Sequence, residues 1–239
     1  MPSARPPLQA LIFDVDGTLA ETEEAHRVAF NQAFAEFGLP WRWEPALYAR
    51  LLRISGGQER LRHYAETSDP ARTGPGLPSL IAALHRRKTA LYTGMVVGGA
   101  VPLRPGVAAL IHAARAAGLR LAVATTTTRE NVLALFDGAT GGAAHAWFET
   151  LVCADDAPVK KPDPAVYRLV LHRLALPPAA CLAIEDSANG VGAALAAGLP
   201  VIATRSAYSA DDDLSGALAV FPDLDGITLD HLYRLRSGI

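Results

Sequence analysis

The chain has 239 residues, half of them hydrophobic and 19% charged, with a formal net charge of −2. A chain of this length buries a substantial core, and so even a charge leaves no electrostatic footprint for nucleic acid or an acidic membrane surface. The N-terminal "MPSARPPLQALIF" lacks a signal-peptide core, and the longest apolar candidate, "LRLAVATTTT", is far too short to span a bilayer.

The first element is a strand. In "LQALIFDVDGTLAET", residues 8 to 22, the apolar run Leu8, Ala10, Leu11, Ile12 and Phe13 reads as a strand buried on both faces. It ends in Asp14 and Asp16, at the rim where open α/β sheets place their ligands. Strand side chains repeat with period two, so the two carboxylates point the same way. Like charges held that close need a cation, a shared proton or water. A calcium loop also opens D-x-D-G. It wants glycine sixth and glutamate twelfth, where this chain has Leu19 and Ala25.

The next stretch has a different texture. "ETEEAHRVAFNQAFAEFG" is an amphipathic helix, with Ala25, Val28, Ala29, Gln32 and Ala33 at helical spacing and Gly38 as its stop. "PALYARLLRI", "GQERLRHYAE" and "SLIAALHRRKTALYTGMV" are also helical in pattern, and "TSDPARTGPGLP" reads as an exposed connection. The simplest account is a helical module, residues 20–97, inserted just after the first strand, with "GGAVPLRPG" as its return linker. Trp41 and Trp43 read as packing at the seam between module and core. "LHRRKTAL" reads as a solvated basic helix face.

Beyond the linker, strands alternate with alanine-rich helices. The strands are "LRLAVAT", "TLVCAD", "CLAIED", "PVIAT" and "LAVFPD"; the helices are "GVAALIHAARAAG", "RENVLALFDG", "PAVYRLVLHRLAL" and "GVGAALAAG". Gly118 and Gly198 close their helices, and Pro162 or Pro164 opens one. Such alternation implies parallel pairing, hence a doubly wound, Rossmann-like α/β core made of residues 1–19 and 98–239. "YSADDDLSG" reads as an acidic surface turn and "HLYRLRSGI" as a closing helix with an exposed tail. Cys153 and Cys181, far apart and without a CxxC partner, read as buried thiols. Together these features place the protein in the cytoplasm.

Three further strand ends repeat the logic of the first. "LAIEDSANG" delivers Glu185 and Asp186; neighbours on a strand face opposite sides, so one of them points at the site and Ser187 caps the following helix. Carboxylates from two strands suit a hard cation such as magnesium, which takes few protein oxygens and leaves room for phosphate. "LAVATTTTREN" offers hydroxyls and a helix start, which hold phosphate or simply cap the helix. "VKKPDPAVY" offers a lysine anchored by a proline turn, either neutralising phosphate or solvated.

Together, in this order, Asp14–Thr18, Thr125, Lys161 and Glu185–Asp186 resemble the four motifs of the haloacid dehalogenase superfamily of phosphotransferases. The resemblance spans nearly the whole chain, and the inserted helices look like that family's α-helical cap. It implies Asp14 as the nucleophile that forms an aspartyl-phosphate and Asp16 as the proton donor and acceptor. It further implies Mg2+ held by Asp14, the Asp16 carbonyl and Asp186, with Glu185 a weaker ligand. Thr125 would hold the phosphoryl oxygens and Lys161, the lysine directly before the proline, would balance their charge, with Lys160 its rival.

Within that family the chain is most similar to the subgroup of β-phosphoglucomutase and the CbbY-type proteins of the Calvin cycle. "DVDGTLAETEEAHRVAFNQAF" carries the subgroup's acidic residue at Glu21, a candidate for sugar hydroxyls, and its histidine at His26, which also reads as a partly buried helix residue. The cap departs from the mutase pattern, because "LLRISGGQERL" puts Gly57 where mutases carry an arginine for a second phosphate. Gly56 and Gly57 allow close backbone approach to a ligand. Arg53, Arg60 or Arg129 would supply the charge, with Thr126 beside Thr125 as a further substrate contact. The resemblance thus implies a monomeric sugar-bisphosphate phosphatase with no nucleic-acid or membrane partner, converting xylulose 1,5-bisphosphate to xylulose 5-phosphate. A mutase-type isomerase, a phosphatase for another small phosphometabolite and a non-catalytic binding module are the alternatives.

Overall fold

The computed structural model describes residues 6–157 and 159–237, so the first five residues and the last two of the expected tail lie outside it. Six strands form one sheet in the order β3-β2-β1-β4-β5-β6. They are β1 (Ala10–Phe13), β2 (Arg120–Ala124), β3 (Thr150–Val152), β4 (Cys181–Glu185), β5 (Val201–Thr204) and β6 (Val220–Phe221). Every neighbouring pair is parallel. The last strand is shorter than the apolar run "LAVFPD" suggests, because Val220 is already exposed at the sheet edge.

Parallel strands need covered crossovers, and helices supply them on both faces. Leu11 and Phe13 belong to one apolar cluster, shared with α5 (Val107–Ala116), α6 (Arg129–Thr140) and α9 (Leu229–Ser237). Ala10 and Ile12 belong to the other, with α7 (Ala165–Leu174) and α8 (Ala188–Ala196). The period-two alternation of β1 thus divides its side chains between two cores. The register sets Phe13 beside Val123 and Ile184, so β1, β2 and β4 end level. Asp14, Thr125 and Asp186 follow those three ends along one rim.

Helices α1 (Glu23–Glu36), α2 (Pro45–Leu51), α3 (Gly57–Ser68) and α4 (Leu77–Val97) fill the stretch between β1 and the return linker. They have their own apolar cluster, built on Phe30, Phe34, Trp41, Trp43, Tyr48, Leu61, Ile81 and Leu84. The buried face of α1 is His26, Ala29, Phe30, Ala33 and Phe34, while Val28 and Gln32 face outward. The spacing read from small residues is therefore rotated; the two phenylalanines, which bury more area, set the face. Trp41 and Trp43 lie inside this cluster rather than at a seam, and Trp43 is fully buried against Phe30 and Phe34.

The outgoing and returning chains pass side by side. Ala20 bridges Leu103 in antiparallel fashion, and the Arg104 amide donates to the Leu19 carbonyl at 2.8 Å. Deleting the aromatic at the centre of the helical cluster tests how independent that cluster is. Trp43→Ala is expected to cost about 3–5 kcal/mol, as buried aromatic deletions do. Chemical denaturation would read this as a lower midpoint, with the loss confined to α1–α4 in hydrogen exchange.

Candidate active site

Asp14 is the first residue past β1, and its amide donates to the Ile184 carbonyl at 3.0 Å, locking it to the end of β4. Its Oδ1 accepts from Lys161 Nζ at 2.6 Å. The same ammonium donates to Glu185 Oε1 at 2.6 Å and to the Ala124 carbonyl at 2.9 Å. One lysine therefore spans the ends of β1, β2 and β4 and spends all three of its donors there. Glu185 Oε1 also accepts from the Tyr167 hydroxyl, while Oε2 is buried with no hydrogen-bond partner among the described residues. Lys160, the rival lysine, donates instead to the Ala154 and Ala157 carbonyls.

Asp14, Glu185 and Asp186 each offer a carboxylate oxygen within 4.8 Å of the others, and all three are buried. Burial and then the opposing pull of Lys161 and push of the neighbouring carboxylates leave Asp14 well above the usual carboxylate range. Burial and the Glu185 charge push Asp186 up to about 8, against hydrogen bonds from Ser206 and Ser209. Lys161 goes the other way: burial opposes its charge, but Asp14 and Glu185 raise its pKa. Were all three carboxylates ionised, the one ammonium would leave two negative charges uncompensated, and one carboxylate oxygen is already without a partner among the described residues. That donor set fits one hard divalent cation.

Asp16 turns away from this cluster toward the helical side. Its Oδ1 accepts from the Thr22 hydroxyl at 2.5 Å and from His26 Nε2 at 3.1 Å. Burial raises its pKa, but His26 and Thr22 outweigh that and hold it at about 2. His26 stacks on Tyr92, with ring centroids 3.9 Å apart, and its Nδ1 faces Lys88 Nζ at 2.5 Å. Burial, then Lys88, lowers the His26 pKa, so the ring is neutral, accepting from the ammonium and donating to Asp16. Burial drives Lys88 down to about 7, against the charges of Asp16 and Glu23. The expected solvated basic face is thus split: Arg86 and Arg87 are exposed, while Lys88 is buried beneath His26. Sequence reading missed Lys88 because a lysine inside an "RRK" run looks solvated.

Two cavities open on this rim. The larger, about 490 Å³, is lined by Asp14, Thr125, Lys161 and Asp186 among others. The second, about 230 Å³, lies toward α3 and α6, against Gly56, Gly57, His85, Lys88, Thr127 and Thr128. Asp16, Glu23, Arg60 and Thr126 line both and mark the passage between them. The Arg60 guanidinium is fixed from behind by the Leu51 carbonyl and Tyr48 hydroxyl, both at 3.2 Å. Gly56 starts α3 at φ 94°, and a Cβ on Gly57 would lie 2.7 Å from His85 Nε2, so no larger residue fits there without moving His85.

Two sequence-derived candidates stand apart. Glu21 Oε1 pairs with Arg104 at 3.0 Å, Oε2 accepts from the Ala207 amide at 3.3 Å, and the residue lines neither cavity above. Glu23, two residues further on, lines both. Glu21 precedes α1 and pairs with the linker's Arg104, whereas Glu23 opens the helix over the cavity. Arg129 also lines neither cavity, because its guanidinium bonds the Leu151 carbonyl and Asp156, both at 2.9 Å. Ser206 and Ser209, which hold Asp186, went unread because hydroxyls in a polar turn carry no pattern.

A parallel doubly wound sheet with buried carboxylates at its C-terminal rim defines an α/β protein with its ligand site at that rim. A family profile described as haloacid dehalogenase-like hydrolase matches residues 8–198. The chain is 51% identical to the plasmid-borne Protein CbbY of Cupriavidus necator, over 91% of this chain and 86% of that protein. It is 51% identical to Protein CbbY of Rhodobacter capsulatus, over 91% and 94% of the two chains. The crystal structure of CbbY from Rhodobacter sphaeroides in complex with phosphate superposes with a TM-score of 0.88 at 41% identity, covering 95% and 99% of the chains. An aspartate-to-asparagine mutant of that protein has been solved with xylulose 1,5-bisphosphate, again at TM-score 0.88. The chain belongs to the haloacid dehalogenase-like hydrolases.

Lys88 is costly where it stands, since a buried lysine at about 7 is strained relative to its ordinary 10.5. Lys88→Met is expected to raise the melting temperature while lowering kcat. A lowered lysine pKa means that the unfolded chain holds the proton longer, so wild-type stability climbs between pH 7 and 10.5. The gain from the substitution is therefore greatest below pH 7 and shrinks toward 10.5, which thermal scans across that range will reveal. Glu23→Gln is expected to raise KM more than Glu21→Gln does, as steady-state kinetics on one phosphate ester will show.

Proposed function

We propose that the protein is a magnesium-dependent phosphatase that hydrolyses xylulose 1,5-bisphosphate to xylulose 5-phosphate through an aspartyl-phosphate. The observation that carries the reading is a carboxylate and an ammonium 2.6 Å apart on the floor of a cavity that continues into a second lobe. The substrate named for the similar Rhodobacter sphaeroides protein supports the choice of sugar bisphosphate.

In this reading Asp14 attacks phosphorus, and the bond from phosphorus to the sugar oxygen breaks as the aspartyl bond forms. Asp16 gives the leaving oxygen its proton, then takes one from the water that cleaves the aspartyl-phosphate. Ionised in the free protein, Asp16 needs its pKa raised to act as the acid; an arriving phosphate dianion does so by like-charge repulsion. Lys161 and the Thr125 hydroxyl stabilise the transferring phosphoryl group, the larger share of such catalysis. Asp14, Asp186 and the Asp16 carbonyl would hold Mg2+, with Glu185 next to them. The cation supplies charge neutralisation where phosphate meets carboxylate.

The helical group, residues 20–97, serves as the cap in this reading, and the second lobe takes the far phosphate. Lys88 and Arg60 supply positive charge there and the start of α6 supplies N–H groups. Glu23, at the passage between lobes, faces the sugar hydroxyls. The larger lobe carries Asp211, Asp212 and Asp213 at its outer wall, which repel a second phosphate.

Asp14→Asn is expected to fold normally and to lose turnover altogether; retained phosphate release would refute the nucleophile. Among sugar mono- and bisphosphates, the ketopentose bisphosphate is expected to give the highest kcat/KM, and preference for a hexose or triose monophosphate would overturn that substrate. Glucose 1-phosphate with a trace of its bisphosphate is expected to yield only free phosphate; accumulating glucose 6-phosphate would mean a mutase.

A further inference from the structure

Arg104 belongs to the return linker, not to any motif, and it is almost completely buried. All its donors are used, and on four separate segments. Nε pairs with Glu21 Oε1 at 3.0 Å. Nη1 donates to the Gly17 carbonyl and to the Thr204 hydroxyl at 2.8 Å. Nη2 donates to the Arg205 carbonyl and to the Pro222 carbonyl at 3.1 Å. A planar fork with five N–H groups can tie that many segments; an ammonium cannot.

Two of these segments enclose Asp186. Gly17, at φ 83°, presses on it so closely that a Cβ there would lie 2.1 Å from Asp186 Oδ2. The next residue, Thr18, places its hydroxyl 3.5 Å from Asp186 Oδ1. On the opposite side Arg205 leads directly into Ser206 and Ser209, whose hydroxyls are 2.7 Å apart, and Ser209 donates to Asp186 Oδ2 at 3.1 Å. Gly17 also follows Asp16 in the chain. The residue whose carbonyl Arg104 grips therefore directly follows Asp16 and packs against the Asp186 carboxylate.

We propose that Arg104 is a positioning residue for hydrolysis: it clamps the Gly17 and Arg205 loops together so that Asp16 and Asp186 hold their places relative to Asp14. It touches neither cavity described above, so its effect reaches substrate only through those loops. The ion pair with half-exposed Glu21 adds little by itself, because solvent screens it; the buried carbonyl and hydroxyl contacts supply the rigidity. The kinetic consequence rests on the phosphatase reading. The effect on the loops does not.

The test is Arg104→Lys, which keeps the charge and loses the fork. It is expected to melt above assay temperature and to lower kcat by about tenfold or more, the scale of small misplacements at a reacting centre. KM is expected to stay within about threefold, since no substrate contact is removed. Amides of residues 15–20 and 204–209 are expected to exchange faster with deuterium, and those of β2 to be unchanged. Kinetics use whichever phosphate ester the wild type hydrolyses best, so a wrong substrate does not confound them, and exchange needs no substrate. A kcat within twofold of wild type, or a fall in kcat without faster loop exchange, overturns the proposal. Should the lysine variant fail to fold, Thr204→Val removes one acceptor while keeping the shape. Faster exchange in the same two loops then supports the clamp, and unchanged exchange overturns it.

Discussion

Like charges crowded at one edge of a parallel sheet set the terms for the rest of this molecule. Two strand ends, paired side by side, deliver Asp14, Glu185 and Asp186 into a buried cluster. Repulsion of that kind is tolerable only with a compensating cation. Lys161 provides one, bonded to two of the carboxylates and to the carbonyl that ends β2. It leaves an excess of negative charge that the fold does not cancel by itself. The site is thus built to be incomplete, and what completes it is also what the chemistry of phosphate requires.

Around that deficit the protein separates its carboxylates by environment. Asp14 and Asp186 are pushed up by burial and by the Glu185 charge, Asp14 against the pull of Lys161. Asp16, two residues from Asp14, is held at about 2 by Thr22 and His26. Neighbouring groups of one chemical type are thereby given opposite tendencies to ionise, the separation that the proposed nucleophilic and acid–base steps call for. The chain Lys88–His26–Asp16 ties the second of these to α4, so the helical group and the sheet share one hydrogen-bonded path.

Much of this was legible in the sequence because strand ends announce themselves. An apolar run that stops at a carboxylate or a threonine fixes both the element and the direction in which its last side chain points. The parallel sheet and the place of Thr125 follow from that single rule, whereas Lys161 is singled out over Lys160 by the family resemblance. Reading failed where the decisive partner lies across a turn of helix or in a loop. Glu21 and Glu23 differ by two positions, yet one faces the linker and the other the cavity, and only the start of α1 decides which. Small residues suggested a face for α1 that Phe30 and Phe34 turned aside. Lys88 hid within a basic run, and Arg104 within a proline-flanked linker, because burial of a charge is invisible until its acceptors are in place.

The side-by-side passage of Ala20 and Leu103 has a consequence of its own. A long excursion of chain leaves the sheet and comes back through what is, to the strands, a single doorway. Nothing beyond that doorway alters the order or spacing of the strands. Helices of another length or shape could be spliced across it with the strand order kept, so long as the partners of Asp16 on α1 and α4 were kept too. Sheet and helical group are thus joined, along the backbone, through one narrow threshold.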